Sequence, residues 1–470
     1  MAAKKEVCEI KYYFDANSHT QICKEACDEV IKYVGHSFNP SSDSKAAEPF
    51  KKMIEKTENN ILKHCKTSNA DYYCIFTSGA TESNCAILRM TVKAFKAKLS
   101  EKGLAHIVPH IITSKTEHSS IIDCLADLER AGQVSVTYLA PTIYGNITPE
   151  SVKEEIKDNT CLISIMYANN ELPVINNISA ITEIAKSKGI PLHTDAVQVF
   201  GKYPINLGRL QLDALTASAH KFYGPLGIGV LILKKTFVDE YGLTGEINGK
   251  QQNGLRAGTE NLPGIAGFGA ALAYVHENRR GKNDKQTKTN RQIKNDRLMT
   301  LRNLCVELLS EWIPQASYDK YIELPDQKDD LRPMRRKPLE LVFLGPPAEE
   351  KSAFLLCNTI LVSIAKNTGS QFCNIMLKKF LDQHKCIISI GSACNTKSQN
   401  ASHVLSAIMA PPVIKRGVIR ISFHDKNTKE EVYYLVEKII EGIKKQCGDI
   451  KDELQEAQIN IFPTKKQSAK

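Results

Sequence analysis

The chain has 470 residues, of which 42% are hydrophobic and 24% charged, and its formal net charge is +10. This length is enough for about two to four domains, and the composition excludes the collagen-like, disulfide-scaffold and intrinsically disordered classes for the chain as a whole. No apolar run approaches the roughly 20 residues that span a bilayer, and residues 1–15 lack a secretory or transit-peptide pattern. We therefore expect a cytoplasmic protein without a membrane partner.

Short β-branched runs alternate with amphipathic stretches in the first half of the chain. The predicted strands are Tyr72–Thr77, Ile107–Ser114, Val134–Leu139, Leu162–Tyr167, Pro191–Asp195, Ala214–Ser218 and Ile228–Leu233. The predicted helices between them include Glu82–Leu99, Ser119–Arg130, Thr148–Lys157 and Ser179–Lys188. Strands that alternate with helices form βα units, so we predict an α/β fold with a mostly parallel, seven-stranded sheet covered on both faces.

The pattern changes after Asn261. Predicted helices follow at Pro263–Val275, Gln292–Trp312 and Lys429–Lys445, and predicted strands at Leu339–Leu344, Thr359–Ile364, Ile387–Ile390 and Val418–Phe423. This mixture indicates a second, smaller α+β domain. We assign residues 17–274 to the large domain and residues 1–16 and 275–445 to the small one. Residues 446–470 form a polar tail that we expect to be frayed.

The positive charge is concentrated in residues 276–297. This segment has eight basic and three acidic residues, which is half of the net positive charge of the chain. It contains one large aliphatic residue, Ile293, and no aromatic residue that could stack on a base. We interpret it as a solvated loop or an exposed helix extension, and we expect no nucleic-acid partner.

The 14 cysteines are scattered singly through predicted strands and helices. They have neither the spacing of a disulfide framework nor the paired C-x-x-C spacing of a zinc site. We therefore expect reduced thiols in a reducing compartment and no metal site.

Polar residues follow three of the predicted strands. Residues 78–83, Ser-Gly-Ala-Thr-Glu-Ser, open a helix, and small residues at a helix N-terminus favour a phosphate group. Asp195 ends a second strand, and Lys221 follows a third. Taken singly, each has a plain alternative as a common turn, a helix cap or a solvated lysine. A Schiff-base lysine, an aspartate for a pyridinium nitrogen and a phosphate cradle are together the requirements of a pyridoxal phosphate (PLP) site.

With these motifs the chain resembles the cysteine desulfurases of the NifS/IscS kind, in the fold-type I, class V aminotransferase group. The resemblance covers most of the chain between Tyr13 and about Ile440, and its motifs run in the family's order. They are Phe76–Asn84, Thr116–His118, Asn169–Glu171, His193–Gln198, Ser218–Lys221, Arg256–Thr259, Gly391–Cys394 and Ile419–Ser422.

The resemblance implies a role for each matching residue. Lys221 would bind PLP covalently, Asp195 would pair with the pyridine nitrogen, and His118 would stack on the ring as a third catalytic group; the alternative for His118 is a helix cap. Gln198 would donate to the phenolic oxygen, and Asn170 would contact the cofactor or the substrate. The residues implied to hold the phosphate are Ala80, Thr81, Ser218, His220 and, from a neighbouring subunit, Thr259, which implies a homodimer.

Two further residues would act on the substrate. Arg420 matches the arginine that binds the substrate carboxylate, a task that suits a planar guanidinium. Cys394 lies on a Gly-Ser-Ala turn near Lys397, before a polar stretch typical of a mobile loop, and a nearby cation favours the reactive thiolate. The implied reaction converts L-cysteine to L-alanine and leaves the sulfur on Cys394 as a persulfide. The sulfur would pass to an acceptor such as an iron–sulfur scaffold protein.

Some positions depart from the family pattern. The usual Asp-x-x-Ala-Thr-Thr-Pro run is replaced by residues 15–21, Asp-Ala-Asn-Ser-His-Thr-Gln, and Pro173 takes the place of a common glycine. The segments Arg279–Arg297, Pro325–Pro338 and Pro346–Asn358 look like insertions. Two alternatives therefore stay open: a selenocysteine lyase or other class V PLP enzyme, and a non-catalytic scaffold subunit that retains the fold.

Overall fold

The computed structural model describes residues 11–277, 290–322, 339–346, 354–365, 372–390 and 402–447. Its strands are β1 (Tyr12–Tyr13), β2 (Tyr72–Thr77), β3 (His110–Ser114), β4 (Ser135–Leu139), β5 (Thr160–Ser164), β6 (Leu192–Asp195), β7 (Ala214–Ser218), β8 (Gly229–Lys234), β9 (Glu340–Leu344), β10 (Thr359–Ala365), β11 (Cys386–Ile387) and β12 (Val418–Ser422).

The helices surround these strands. They are α1 (Lys24–Gly35), α2 (Glu48–His64), α3 (Ala80–Glu101), α4 (Ser119–Arg130), α5 (Pro149–Glu154), α6 (Ile178–Ser187), α7 (Leu207–Leu210), α8 (Lys235–Tyr241), α9 (Leu262–Glu277), α10 (Asn290–Trp312), α11 (Asp319–Ile322), α12 (Asn374–Gln383), α13 (His403–Ala407), α14 (Pro412–Gly417) and α15 (Lys429–Cys447). Short 3₁₀ helices lie at Lys45–Ala47, Ala219–Lys221 and Gln251–Gly254.

The large sheet has seven strands in the order β2-β8-β7-β6-β5-β3-β4. Strand β8 is antiparallel to both of its neighbours, and the remaining pairs are parallel. The predicted mostly parallel, seven-stranded α/β sheet is therefore confirmed. Its central residues, such as Ile163, Leu215 and Val230, are fully buried because a parallel sheet is covered on both faces.

Neighbouring residues of β2 show how the two faces are filled, since successive side chains of a strand point to opposite sides. Ile75 belongs to a buried cluster with Ile87 of α3 and Leu125 of α4. Phe76 belongs to a second cluster, which includes Ile61 of α2 and Phe268 of α9. Helices thus cover both faces and leave the edge at the carboxyl ends of the parallel strands for polar side chains.

A smaller antiparallel sheet, in the order β12-β10-β9, has a hydrophobic core of its own. This core includes Leu301 of α10, Leu377 of α12 and Ile439 of α15. Phe14, next to β1, is buried in the same cluster. The N-terminal segment therefore packs with the second core, while the exact domain boundaries at residues 16, 274 and 445 stay predictions.

The strand ends differ from the sequence predictions where the backbone stops pairing. Strand β3 begins at His110 and not at Ile107, because Pro109 directly before it has no N–H to donate. Strand β11 covers Cys386–Ile387 and therefore shares only Ile387 with the predicted strand Ile387–Ile390, because its parallel partner β1 has two residues.

Several predicted features fall wholly or partly outside the described residues. These are residues 278–289 of the basic segment, residues 325–338, residues 347–353 of the predicted insertion Pro346–Asn358, residues 391–401 with Cys394, and residues 448–470 of the tail. Within the described part of the chain, no helix combines the length and the apolar composition needed to cross a membrane. The twelve cysteines in that part are free thiols, and nine of them are buried.

Candidate active site

The carboxyl ends of β6 and β7 bring Asp195 and Lys221 to the same edge of the large sheet. The two strands pair in parallel, with Asp195 opposite Thr216. Lys221 ends the 3₁₀ turn that follows β7. Its Nζ donates hydrogen bonds to the carbonyl oxygens of Asn17 and Ser18, at 2.7 and 2.8 Å. The amine and the carboxylate thus follow adjacent strands, as the sequence predicts.

The N-terminus of α3 lies at this edge as well. The last residues of β2 and β7 both pair with Gly229, so the two strands run in the same direction on either side of β8. A Cβ on Gly229 would lie 2.7 Å from the backbone of Gly79, and only glycine allows this close approach. Ala80 and Thr81, in the first turn of α3, therefore lie beside Ser218, and their turn offers unpaired backbone N–H groups.

His118 is connected to Asp195 through two intervening side chains. Its Nδ1 accepts a hydrogen bond from the backbone N–H of Ser120 at 3.1 Å and lies 2.9 Å from Ser120 Oγ. Asn84 Nδ2 donates to Ser120 Oγ at 3.0 Å and to Asp195 Oδ2 at 2.8 Å. His118 is therefore the N-cap of α4, which is the alternative considered from the sequence, and it also belongs to a network that includes Asp195.

His220 is held as a neutral side chain next to Lys221. Its Nδ1 lies 2.9 Å from Ser218 Oγ, and its ring stacks on His19 with 5.8 Å between ring centroids. Burial, the Lys221 ammonium and His19 together lower the pKa of His220 to about 3. At neutral pH the ring therefore carries no charge, and Ser218 and His220 present polar groups near the N-terminus of α3.

Gln198 and Asn170 both contact the N-terminal turn, which is formed by residues 15–18. Gln198 Nε2 donates to the carbonyl of Asn17 at 3.0 Å, and Lys202 Nζ donates to Gln198 Oε1 at 3.1 Å. The carbonyl of Asn170 accepts a hydrogen bond from Asn17 Nδ2 at 3.3 Å and another from Arg420 at 2.7 Å. The backbone of Asn170 is therefore part of the site.

Arg420 lies within β12 of the small sheet, and its side chain is only 1% exposed. One terminal nitrogen donates to Asp15 Oδ1 at 2.6 Å and to Ser18 Oγ at 2.7 Å. The guanidinium thus binds a carboxylate from its own chain, which is the chemical group that the sequence predicts for its substrate. Asp15 is 14% exposed, so this ion pair lies at the margin of the site and not in open solvent.

Two predicted site residues are not joined to this cluster. Thr259 is exposed and, within the described part of the chain, has no hydrogen bond to the other predicted residues. Cys394 lies outside the described residues. The described residues nearest to it in the chain are hydrogen-bonded: Ser389 exchanges backbone hydrogen bonds with Arg420, and Ser402 Oγ donates to Glu171 at 2.6 Å.

Three residues that organise the site were not predicted from the sequence. Asp15 and Asn17 belong to the segment that departs from the family pattern, and their contacts with Arg420 and Lys221 span more than 200 residues. No local signal predicts such contacts. Asn84 belongs to the motif Phe76–Asn84, and its short amide side chain in the first turns of a helix is the signal that could have indicated its role.

Sequence relatives place these features in a family. The model of the aminotransferase class-V family matches residues 12–310. Cysteine desulfurase IscS from Dictyoglomus turgidum is 33% identical over 449 residues, which are 95% of this chain and 98% of that protein. Cysteine desulfurase IscS from Methanosarcina thermophila is 32% identical over 438 residues, with 92% of each chain covered.

Solved structures agree with this assignment. A NifS-like protein superposes with a TM-score of 0.72 at 27% identity, covering 92% of this chain and 98% of the other. SspA in complex with cysteine superposes with a TM-score of 0.65 at 26% identity, covering 89% and 100%. The fold and these matches place the chain in the aminotransferase class-V family. Within that family, the chain belongs to the cysteine desulfurases of the NifS/IscS kind.

The residues present fit PLP, the cofactor of this family. The edge of the sheet offers an amine on Lys221, a carboxylate on Asp195 and the N-terminus of the 22-residue helix α3. Gly229 keeps the turn before α3 close to the strand ends, and a larger residue would fill this space. These three groups match the aldehyde, the ring nitrogen and the phosphate of PLP.

Proposed function

We propose that this protein is a PLP-dependent cysteine desulfurase that converts L-cysteine and the Cys394 thiol into L-alanine and a Cys394 persulfide. The observation that carries the proposal is the meeting of Asp195, Lys221 and the N-terminus of α3 at one edge of the large sheet. The family assignment supports the same reaction.

The cofactor would be held at three points. Lys221 would bind its aldehyde, and Asp195 its ring nitrogen. The phosphate would lie against Ala80, Thr81, Ser218 and His220, with Thr259 of a second subunit completing the site. Gln198 would donate to the phenolic oxygen, because its Nε2 already donates to a carbonyl oxygen beside Lys221.

PLP supplies an electron sink for the negative charge that develops on the substrate. The protein moves the protons. The Lys221 amine would accept the Cα proton of the substrate at Nζ, and in this structure two carbonyl oxygens already orient that nitrogen. His118 would lie against the ring, and Asn170 would contact cofactor or substrate.

Arg420 would bind the carboxylate of L-cysteine. Its guanidinium already holds a carboxylate oxygen of Asp15 at 2.6 Å, so the site is built for this charge. A substrate carboxylate would take over hydrogen bonds that Asp15 and Ser18 accept in this structure. The N-terminal turn would therefore adjust when substrate binds.

Cys394 would attack the sulfur of the bound substrate. The thiolate forms a new S–S bond while the substrate's C–S bond breaks, and the carbon fragment takes up protons and leaves as L-alanine. Support comes from described residues on either side of residues 391–401: Ser389 is paired with Arg420, and Ser402 with Glu171 in the Asn-Asn-Glu motif. Both flanking residues thus contact residues of the site.

We further propose that the protein acts as a cytoplasmic homodimer with shared active sites and passes its sulfur to an acceptor such as an iron–sulfur scaffold protein. The exposure of Thr259 in one protomer supports the shared site, because a residue that serves a neighbouring subunit must lie on the surface.

The test is to incubate the purified protein with L-cysteine and to measure alanine and protein-bound persulfide. We expect equal amounts of both in a first turnover. Lys221→Ala should form neither product and should lack the visible absorption of bound PLP. Cys394→Ala should keep that absorption but form no persulfide.

Two control variants make the test specific. Lys115 is an exposed lysine, and Cys27 is a partly exposed thiol on α1. Lys115→Ala and Cys27→Ala should behave like the parent protein. Persulfide formation at the parental level in Cys394→Ala would refute the role of Cys394.

A further inference from the structure

A continuous chain of hydrogen bonds runs from Asp195 to His118. Asp195 Oδ2 accepts from Asn84 Nδ2 at 2.8 Å, and the same nitrogen donates to Ser120 Oγ at 3.0 Å. Ser120 Oγ lies 2.9 Å from His118 Nδ1. Asn84, Ser120 and Asp195 are all buried, so water does not compete for these contacts. The direction of each hydrogen bond follows from the donors and acceptors available.

The orientation of the Asn84 amide is fixed by Asp195. Asp195 Oδ1 accepts the backbone N–H of Val197 at 2.9 Å, and Oδ2 faces the Asn84 amide. A carboxylate only accepts hydrogen bonds, so the amide NH₂ group and not its oxygen must face it. The second hydrogen of that NH₂ group then points to Ser120 Oγ.

The Ser120 hydroxyl can therefore donate its hydrogen bond in only one direction. Its oxygen accepts from Asn84, and its single hydrogen is left for His118 Nδ1. The backbone N–H of Ser120 also points at Nδ1, at 3.1 Å, and a backbone N–H can only donate. Two donors therefore converge on Nδ1. This nitrogen must be the unprotonated one, so the neutral ring carries its hydrogen on Nε2.

We propose that Ser120 and Asn84 are positioning residues that hold His118 as the neutral Nε2–H tautomer. His118 then serves the reaction as a neutral hydrogen-bond donor through Nε2 and not as a base at that nitrogen. A base at Nε2 requires a hydrogen on Nδ1, which would face the N–H of Ser120 and break the N-cap of α4. The role in the reaction rests on the proposed function; the tautomer does not.

The tautomer is measured directly by ¹⁵N NMR of the PLP-loaded protein labelled at histidine. The His118 signals are identified as those missing in His118→Gln. We expect a protonated Nε2 and an unprotonated Nδ1 between pH 7 and 8. A protonated Nδ1, or an even mixture of the two tautomers, would overturn the proposal.

Ser120→Ala tests the role of the hydroxyl. It removes one of the two donors to Nδ1, so the ratio of the tautomers should shift about fivefold away from Nε2–H, the effect of one ordinary hydrogen bond. Ser120→Thr keeps a hydroxyl and should restore the parental ratio. Ser119→Ala removes a hydroxyl from the same helical turn outside this network and should leave the ratio unchanged. An unchanged ratio in Ser120→Ala would exclude the positioning role.

Activity provides a separate readout. With L-cysteine, kcat/KM of Ser120→Ala should fall about tenfold, and Ser120→Thr should recover most of it. If the parent protein forms no alanine from L-cysteine, the proposed function is wrong, but the conclusion about the His118 tautomer is unaffected. An altered tautomer ratio with unchanged kcat/KM in Ser120→Ala would show that the tautomer does not serve the reaction.

Discussion

The two sheets present their functional side chains in different ways. On the large sheet, Asp195 ends β6 and Lys221 follows β7, and because these two strands are adjacent and parallel, strand pairing brings the residues together. On the small sheet, Arg420 lies within a strand and is buried, and its partners Asp15 and Asn170 come from 405 and 250 residues away. The large-sheet half of the site is thus positioned by the pairing of adjacent strands. The small-sheet half is positioned by the packing of segments that are distant in the sequence.

This difference predicts which side chains of the site can be replaced without destabilising the fold and which cannot. Lys221 follows the end of β7 and is partly exposed, so its replacement mainly alters ligand binding. A buried charge inside a strand is part of the packing, and its removal leaves its partner unpaired in a dry environment. Changes to the small-sheet half should therefore affect stability first.

The largest effect is expected for Arg420→Ala. It leaves the Asp15 carboxylate without its cation, and breaking a buried ion pair costs about 3–5 kcal/mol. Denaturant unfolding of the apoprotein and the PLP-loaded protein should both report a loss of this size. Arg416→Ala, an exposed arginine on α14, is the control and should change stability by less than about 0.5 kcal/mol. Equal losses in the two variants would contradict the distinction between the halves.

A second test concerns the large sheet and uses pH. His193 is buried within β6, with Nδ1 2.9 Å from Ser164 Oγ and Nε2 3.0 Å from Thr216 Oγ1. Burial lowers its pKa to about 3, from an ordinary value of about 6.5. The unfolded chain therefore binds a proton more readily than the folded protein. The stability that His193 contributes is complete above about pH 6.5 and is lost as the pH falls toward 3.

The measurement compares unfolding free energies of the parent and His193→Gln between pH 7 and 4. The parent should lose up to about 1.4 kcal/mol per pH unit more than the variant, so any stability gap between them narrows on acidification. His106→Gln replaces an exposed histidine and should follow the parent at every pH. Parallel curves for the parent and His193→Gln would show that His193 is not held neutral.

The same contrast explains how much could be predicted. The seven strands of the large sheet, helix α4 and the family follow from periodic patterns and ordered motifs, and the structure and the comparisons confirm them. The contacts of Lys221 with Asn17 could not be predicted, because they depend on the packing of a terminal segment whose sequence has no periodic pattern. Helix propensity says nothing about which distant residue completes a hydrogen bond.

His118 shows a subtler limit. From the sequence, His118 has two interpretations, a helix cap and a cofactor contact, which are considered there as alternatives. In the structure Nδ1 caps α4, and the two donors that meet at Nδ1 place the hydrogen of the neutral ring on Nε2. One side chain can serve both purposes, because the two nitrogens of an imidazole have separate partners. A pattern of residues does not reveal this division.

The smallest expected effect is on the KM of Asp15→Asn. It tests whether the small-sheet half of the site is preformed or adjusts when substrate binds. If the carboxylate of L-cysteine must displace Asp15 from Arg420, then Asp15→Asn, which removes the competing charge, should lower KM about fivefold with little change in kcat, an effect of about 1 kcal/mol. Steady-state kinetics should be compared with Asp28→Asn, which alters an exposed carboxylate on α1. A higher KM in Asp15→Asn would instead mean that Asp15 orients the guanidinium. The Arg420 side chain would then have its substrate-binding conformation before substrate arrives, like the residues at the strand ends. The two halves of the site would differ in their contribution to stability, but both would be preformed.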